Sequence, residues 1–239
     1  MYDSPELALV AEQLGLGHPF GQPLHTLIGG ALAWIPGVDP LIALNGLSAL
    51  ASALTVVPAT SFAEALLRPD DDSPDGDRRL IAPTIALLGL HPALWEPATR
   101  IEVYPLAGFF ALWAAARFVH AVLDGDAERP PYYGTGLALG LSASANVVCA
   151  VGVALAMVPR LLIASFRREI PRPAIAWISL GGLLGLSTYA YVFVVAGRTD
   201  VFVWGSPTDP GSIVHYFSGA DFSSKSVDSI SIWIDHVGA

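Results

Sequence analysis

The stretch from Pro40 to Ala63, PLIALNGLSALASALTVVPATSFA, runs for 24 residues without a charged side chain. Two further stretches of this kind, residues 130–159 and 173–197, are 30 and 25 residues long. Because an α-helix rises about 1.5 Å per residue, roughly 20 apolar residues cross the hydrocarbon core of a bilayer, which is about 30 Å thick. The three stretches therefore predict an integral membrane protein built from apolar helices.

The composition of the 239-residue chain supports the same class. Hydrophobic residues make up 53% and charged residues 14%, whereas soluble domains carry roughly 25% charged residues. The net charge of −9 comes in part from one loop with the acids Asp70, Asp71, Asp72, Asp75 and Asp77. This loop is best interpreted as a solvated connector, because its spacing does not provide the Gly and closing Glu that a calcium-binding loop has at fixed positions. No basic patch suited to nucleic acid is present.

We predict six transmembrane helices, at about residues 41–67, 80–94, 103–123, 133–145, 147–166 and 174–196. The run at 133–166 is too long for one span, and Ser142, Ser144 and Asn146 near its middle predict a hairpin apex. The fold class is therefore all-α and polytopic. Residues 1–40 are predicted to form an external loop with short juxtamembrane helices. Residues 41–197 form the helical bundle, and residues 198–239 an external loop or the start of a further segment.

Basic residues predict the orientation of these helices, because Lys and Arg favour the cytoplasmic side of short loops. In the six-helix arrangement nine of the twelve basic residues fall on one side, and the exceptions are Arg100, Arg198 and Lys225. The N-terminal segment, the turn at residues 96–102 and the C-terminal segment are then extracytoplasmic, in a bacterial inner membrane or an equivalent membrane. A chain that begins outside without a signal sequence is expected to be a fragment lacking a first transmembrane helix.

Two carboxylates, Asp3 and Glu6, lie three residues apart at the start of a short amphipathic helix. One interpretation is structural, with Asp3 as the N-cap, Pro5 in the first turn and Glu6 completing a capping box. The functional interpretation makes one carboxylate a general base for an acceptor hydroxyl, a role typically worth about 10²–10⁴-fold in rate. The two roles are compatible, because a capping carboxylate is held in place.

The segment HPFGQP, residues 18–23, predicts a rigid turn between two helices. Each proline restricts its own φ and the conformation of the preceding residue, while Gly21 allows conformations closed to other residues. The turn is therefore either a structural corner or a place where His18 or His25 meets an anionic lipid-phosphate head group.

Two more residues are candidates because of their predicted position at the membrane surface. Glu102 lies at the mouth of an apolar helix, where a carboxylate is costly and tends to be functional. Asn146 lies at the predicted hairpin apex. Its side chain either satisfies backbone groups freed by the turn or contacts a substrate.

Three groups of residues carry a resemblance to a known family. They are DSPEL, LG and HPFGQPL at residues 3–7, 14–15 and 18–24, then EVYPL at 102–106, then WGSP at 204–207. The first group resembles the first external loop of the protein O-mannosyltransferase-like proteins, a domain of unknown function in the GT-C superfamily of membrane glycosyltransferases. The other two groups are similar to that family in matching order, so the similarity spans essentially the whole chain.

The resemblance implies membrane helices around an external cavity. It also implies transfer of a sugar, such as mannose, from a polyprenyl-phosphate donor to an acceptor hydroxyl, with inversion at the sugar carbon. Asp3 stands at the position of the acidic base, with Glu6 beside it and Glu102 as a second external acid. The substrate-binding residues expected on this basis are His18, His25, Arg100, Tyr104, Asn146 and Trp204.

The partners implied by the resemblance are a polyprenyl-phosphate-linked sugar, membrane lipid and an acceptor protein or glycan, with no nucleic acid. No cofactor and no metal site are predicted, and dependence on a divalent metal stays open. The alternative function is a non-catalytic transporter or lipid-binding scaffold that uses Glu102 and the external acids for substrate or proton handling. Inverted repeats would favour a transporter, and the sequence shows none.

Overall fold

The computed structural model describes residues 3–67, 78–123 and 129–220. Within these ranges the chain is mainly helical, with one isolated bridge between Leu16 and Val203. Short 3₁₀ turns at Arg78–Leu80 and Ser187–Tyr189 precede α5 and α11. The α-helices are α1 Ser4–Gln13, α2 Pro23–Ala33, α3 Pro40–Leu54, α4 Val56–Leu66, α5 Ile81–Gly89, α6 Pro92–Ala98, α7 Tyr104–Leu123, α8 Arg129–Ala145, α9 Val147–Phe166, α10 Ala174–Leu186, α11 Ala190–Val195 and α12 Pro210–Ser218.

Four helical stretches in the described part of the chain are long and apolar enough to cross a membrane. Their outward side chains are apolar as well, and Leu155 and Leu183 are 70% and 67% exposed. Helices that are apolar all round are typical of a lipid environment. The prediction of an all-α polytopic membrane protein is therefore confirmed. The four stretches are Pro40–Leu66, Tyr104–Leu123, Val147–Phe166 and Ala174–Val195.

Four of the six predicted spans correspond to these stretches, and the other two correspond to shorter helices in the described part of the chain. The stretch predicted at 80–94 is divided between α5 and α6, because the residue before a proline disfavours the helical conformation. His91 precedes Pro92 and has an extended ψ of 132°, and its Nδ1 accepts a hydrogen bond from the N–H of Ala93 at 3.2 Å. The stretch predicted at 133–145 lies within α8, which has 17 residues and is shorter than the four spans.

The predicted hairpin apex at Asn146 is confirmed. Asn146 has an extended conformation between α8 and α9, and its Oδ1 accepts hydrogen bonds from the N–H groups of Val148 at 3.0 Å and Cys149 at 3.3 Å. Asn is among the best N-cap residues because its side chain satisfies N–H groups that have no partner inside the helix. Asn146 thus separates α8 from α9, and its side chain caps the start of α9.

Two buried hydroxyl groups show that α7 and α8 run antiparallel. The hydroxyl of Tyr132 donates to the carbonyl of Ala121 at 3.1 Å, and that of Ser142 donates to the carbonyl of Ala107 at 2.9 Å. Serine and threonine hydroxyls commonly bond across helices in membranes. The start of α7 therefore lies beside the end of α8.

Helices α8 and α10 run parallel and pack through glycines. A methyl group added at Gly185 would lie 2.6 Å from the carbonyl oxygen of Leu137, and one at Gly140 would meet the carbonyl of Gly182. The hydroxyl of Ser144 donates to the carbonyl of Gly185 at 3.0 Å. Small residues allow such close backbone approach in membrane helix pairs. The ends of α8 and α10 and the starts of α7 and α9 consequently meet at one side of the bundle.

Helices α1, α2 and α12 cover this side. The segment after α1 joins the segment before α12 through the N–H of Leu16, which donates to the carbonyl of Phe202 at 2.8 Å, and the N–H of Trp204, which donates to the carbonyl of Leu16 at 2.9 Å. The hydroxyl of Tyr191 adds a bond to the carbonyl of Gly15 at 3.0 Å. The segment that follows α1 and the segment that precedes α12, called here the two covering segments, therefore form one layer over the helix ends.

Candidate functional site

Glu6 and His18 form the centre of the candidate site. One carboxylate oxygen of Glu6, Oε1, accepts the backbone N–H of His18 at 2.7 Å and lies 3.0 Å from His18 Nδ1. Burial alone would raise the pKa of Glu6, but the bonds from His18 outweigh it and the pKa lies below its ordinary value. Glu6 is therefore an ionised partner that fixes both the backbone and the ring of His18.

The same pair determines the charge of His18. Its hydrogen bond with Glu6 raises the pKa of His18 against the opposing effect of burial, and the negative charges of Asp3 and Glu102 add to the rise. Gln22, the N-cap of α2, places its Nε2 at 3.3 Å from His18 Nε2. The three acids thus favour the protonated form of the imidazole, whereas an amide nitrogen of Gln22 that donates to Nε2 requires that ring nitrogen to carry no proton.

The interpretation of Asp3 as a side-chain cap is wrong. Its carboxylate makes no cap hydrogen bond to α1, and Glu6, which would complete a capping box, bonds to His18 instead. The Asp3 side chain is 57% exposed, and its Oδ2 lies 3.9 Å from His18 Nε2. A carboxylate that is exposed and close to the imidazole can exchange protons with solvent or with a bound ligand.

Hydrogen bonds to the backbone at Glu102 hold this residue near His18. The hydroxyl of Ser48 donates to the carbonyl of Glu102 and accepts the N–H of the same residue, both at 3.2 Å. The hydroxyl of Ser4 donates to the carbonyl of Ile101 at 2.8 Å, which holds this segment against the start of α1. Burial, with a contribution from the charge of Asp3, raises the pKa of Glu102.

A cavity of about 290 Å³ adjoins this acidic group on the covered side of the bundle. Its polar wall includes His18, Gln22 and Asn146, and its aromatic wall includes Tyr104 and Tyr189. The remaining lining residues are Pro19, Phe20, Ala145, Val147, Val148, Ser218 and Gly219. Because His18 both lines the cavity and touches Glu6, it connects the cavity to the acids.

Residues from the segment before α12 and from α12 itself complete the surroundings of His18. The ring of Trp204 lies edge-on to the imidazole, with 6.3 Å between the ring centroids and 77° between the planes. The hydroxyl of Tyr216 donates to the carbonyl of Gly17 at 2.8 Å. Sequence reasoning named Trp204 but missed Tyr216, and it gave no role to Gln22 although Gln22 lies inside the HPFGQP turn.

Two of the predicted substrate-binding residues lie elsewhere. His25 is 1% exposed within α2, neither ring nitrogen has a hydrogen-bond partner, and burial lowers its pKa to about 4. A neutral, enclosed imidazole of this kind is not placed to meet a phosphate in the cavity. Arg100 bonds to Glu96 at 2.6 Å and affects the site through its charge, which acts against the raised pKa of Glu102.

Of the remaining predicted residues, Tyr104 and Asn146 line the cavity, whereas Asp3 and Glu102 lie on the acidic side of His18. Across the described ranges no group of three or more His, Cys, Asp or Glu side chains is arranged to hold a metal ion. The arrangement offers an exposed carboxylate, an imidazole whose pKa is raised by its acidic neighbours, and a cavity between helix ends. It can therefore accept a proton and hold an anionic group at adjacent positions.

Comparison with known proteins gives one family. Residues 3–169 match the family model described as the protein O-mannosyl-transferase TMEM260 N-terminal domain. No curated protein and no solved structure shows significant similarity to the chain. The matched region contains α1 to α9 and the Glu6–His18 pair, and it extends over more than two thirds of the chain. The chain therefore belongs to the family of the protein O-mannosyl-transferase TMEM260 N-terminal domain.

Proposed function

We propose that the protein is a membrane glycosyltransferase that moves a sugar, in the first instance mannose, from a polyprenyl-phosphate donor to a hydroxyl group of an acceptor protein or glycan. The family name supports a sugar transferase acting on proteins. The observation that carries the proposal is the position of His18, which faces the cavity and contacts Glu6 behind it. A cationic group in a cavity beside a carboxylate suits a reaction that releases a phosphate and takes up a proton.

The cavity offers a place for the phosphate and for the lipid of such a donor. His18, whose protonated form is favoured by its acidic neighbours, pairs with the phosphate, while Gln22 and Asn146 supply amide groups on the same wall. Val148 at the start of α9 is 67% exposed and Val151 one turn further is 50% exposed. A polyprenyl chain would follow this apolar face of α9 into the bilayer.

Asp3 is the carboxylate best suited to act as the base. In the proposed step the acceptor oxygen attacks the anomeric carbon, and the bond from that carbon to the phosphate oxygen breaks with inversion. The phosphate leaves with the electron pair of that bond, and the hydroxyl proton passes to Asp3. Glu6 is less suited because His18 occupies its oxygen, and Glu102 because it is 9% exposed. In this arrangement Glu6 positions His18, and both Glu6 and Glu102 favour the protonated form of its imidazole.

The same proposal assigns the sides of the membrane. In this proposal residues 1–40 and 198–239 lie outside the bilayer, residues 41–197 form the bundle, and the site faces the extracytoplasmic side of a bacterial inner membrane or an equivalent membrane. Residues 1–2, 68–77, 124–128 and 221–239 of these ranges lie outside the part of the chain that the structure describes. The positive-inside distribution of Arg residues supports this orientation. The meeting of α1, α2 and α12 on one side of the bundle is consistent with it.

The proposal is tested by sugar transfer in proteoliposomes that contain the full-length chain and radiolabelled polyprenyl-phosphate mannose, with a hydroxyl-bearing acceptor peptide. We expect Asp3→Asn to lower kcat by roughly 10²–10⁴-fold. Glu12→Gln is the matched control, because Glu12 is an exposed acid of the same helix. Transfer that Asp3→Asn leaves unchanged would contradict the role of Asp3. A folded protein that transfers no sugar from any donor would favour the transporter or scaffold.

A further inference from the structure

Tyr216 lies outside the region that matches the family, yet it reaches the centre of the site. It belongs to α12, 47 positions beyond residue 169, where the family match ends. The residue is 3% exposed, and its hydroxyl donates to the carbonyl of Gly17 at 2.8 Å and lies 3.4 Å from the carbonyl oxygen of His18. An interior tyrosine hydroxyl normally has a specific partner, and here the partner is the loop that carries His18.

The bonded carbonyl belongs to the peptide group that Glu6 also holds. The carbonyl of Gly17 and the N–H of His18 are the two ends of one peptide unit. Tyr216 donates to the first, and the second donates to Glu6 Oε1 at 2.7 Å. Hydrogen bonds in a chain polarise one another, so a donor on the carbonyl strengthens the N–H as a donor.

We infer that Tyr216 is a positioning residue, whose hydroxyl fixes the Gly17–His18 peptide and thereby the Glu6 carboxylate and the His18 ring that faces the cavity. The inference rests on the proposed function for its effect on sugar transfer. It makes α12 a part of the site, although the family match ends before this helix.

The surroundings of Tyr216 hold it rigidly enough for this role. Its ring belongs to a buried cluster with Leu16, Val192 and Val195. At the start of α12, Asp209 and Ser212 form a reciprocal capping box, which stabilises the first turn of a helix. Gly21 leaves room for the hydroxyl, because a methyl group there would lie 2.7 Å from it.

Several charged or polar groups face His18, and the three acids among them raise its pKa. Asp3 and Glu6 approach from α1, Glu102 from the segment before α7, and Gln22 from the start of α2. Tyr216 differs from them in contacting the peptide rather than the ring. Removing its hydroxyl therefore changes the position of the Glu6–His18 pair without removing a charge.

The test compares Tyr216→Phe with Tyr191→Phe, which removes a similar hydroxyl bonded to the carbonyl of Gly15 at 3.0 Å. Diethyl pyrocarbonate modifies neutral imidazole, so its reaction at His18, followed by mass spectrometry across pH, reports the protonation of that one residue. We expect Tyr216→Phe to lower the midpoint for His18 by about half a pH unit, and kcat to fall about tenfold with a smaller change in KM. Tyr191→Phe should leave the His18 midpoint unchanged.

A second arm places Tyr216→Phe in a Glu6→Gln background, where the shift caused by Tyr216→Phe should vanish if the hydroxyl acts through Glu6. An unchanged His18 midpoint in Tyr216→Phe overturns the inference, and so does an equal shift in Tyr191→Phe. The readout is independent of transfer. If the wild-type protein transfers no sugar, the proposed function fails while the His18 midpoints still decide the role of Tyr216.

Discussion

Replacing Gly185 by alanine should separate α8 from α10. The new methyl group would lie 2.6 Å from the carbonyl oxygen of Leu137 and 2.7 Å from the backbone nitrogen of Leu141. These are backbone atoms of α8, which cannot rotate away as a side chain would, so α10 must retreat by roughly 1 Å. Overpacking of this kind costs about 1–3 kcal/mol, against a gain of up to about 1 kcal/mol in helix propensity.

Gly182 provides the matched control in the same helix. A methyl group there has its nearest contact at 3.7 Å, with the carbonyl oxygen of Gly136. Gly182→Ala therefore gains the same helix propensity without a clash. We expect the free energy of unfolding of Gly185→Ala to be lower than that of Gly182→Ala by about 1–3 kcal/mol, measured by titrating sodium dodecyl sulfate into detergent-solubilised protein. Equal stabilities, or a more stable Gly185→Ala, would refute the reasoning.

The substitution of Gly185 by alanine should also displace residues that line the cavity. The carbonyl of Gly185 accepts a hydrogen bond from the hydroxyl of Ser144, which lies two residues before the cavity-lining Asn146. Tyr189, which also lines the cavity, lies four residues after Gly185. A displacement of roughly 1 Å at this crossing can cost about 10²-fold in rate when it misplaces a substrate. Gly185→Ala is therefore expected to lower sugar transfer as well, whereas Gly182→Ala is not.

Three further predictions concern the layer over the helix ends. Glu6→Gln should lower the free energy of unfolding most near about pH 6 and less near about pH 9, measured by thermal unfolding. Because the pKa of His18 is raised in the folded protein, the stability that protonated His18 contributes is lost as the pH rises through this pKa. Because the pKa of Glu6 is lowered, the stability that ionised Glu6 contributes is lost only as the pH falls through that lower pKa. Gly15→Ala should weaken the contact between the two covering segments and speed limited proteolysis there, because its methyl group would overlap the carbonyl of Phe202. His25→Leu should leave stability unchanged or raise it, since it removes a buried imidazole without hydrogen-bond partners.

Each of these has a result that would contradict it. A stability loss in Glu6→Gln that is the same at both pH values would show that charge pairing with His18 contributes nothing. For Gly15→Ala the control is Gly197→Ala, where no atom lies within 4 Å of the added methyl group, and equal proteolysis of the two variants would count against the contact. His25→Leu that destabilises by more than about 1 kcal/mol would reveal a partner of the ring.

The membrane class and most helices followed from the sequence because they depend on neighbouring residues. A charge-free run such as residues 40–63 forms a helix in lipid, since every backbone group there needs an internal partner. The hairpin at Asn146 was predicted from the length of the run and its polar middle, and the structure shows that Asn146 caps the start of α9. The stretch at 80–94 was predicted as one span because its hydropathy is continuous, and the conformational effect of Pro92 on His91 was overlooked.

The candidate site was only partly predictable. The sequence singled out Asp3, Glu6 and His18, which are close along the chain, but it favoured a capping role for the first two. The structure instead directs Glu6 to His18. No local pattern distinguished His25, which is enclosed within α2, from His18, which lines the cavity.

The sequence by itself determined that this chain crosses a membrane and that two acids and a histidine lie close together in its first 20 residues. Only the tertiary structure decided which of them meet, and it added Ser48 behind Glu102 and Tyr216 behind Gly17. The reason is physical. Helices and caps arise from interactions over a few residues, whereas Tyr216 and Gly17 are 199 positions apart. Their contact depends on how α8, α10 and the covering segments pack, and no local pattern encodes it.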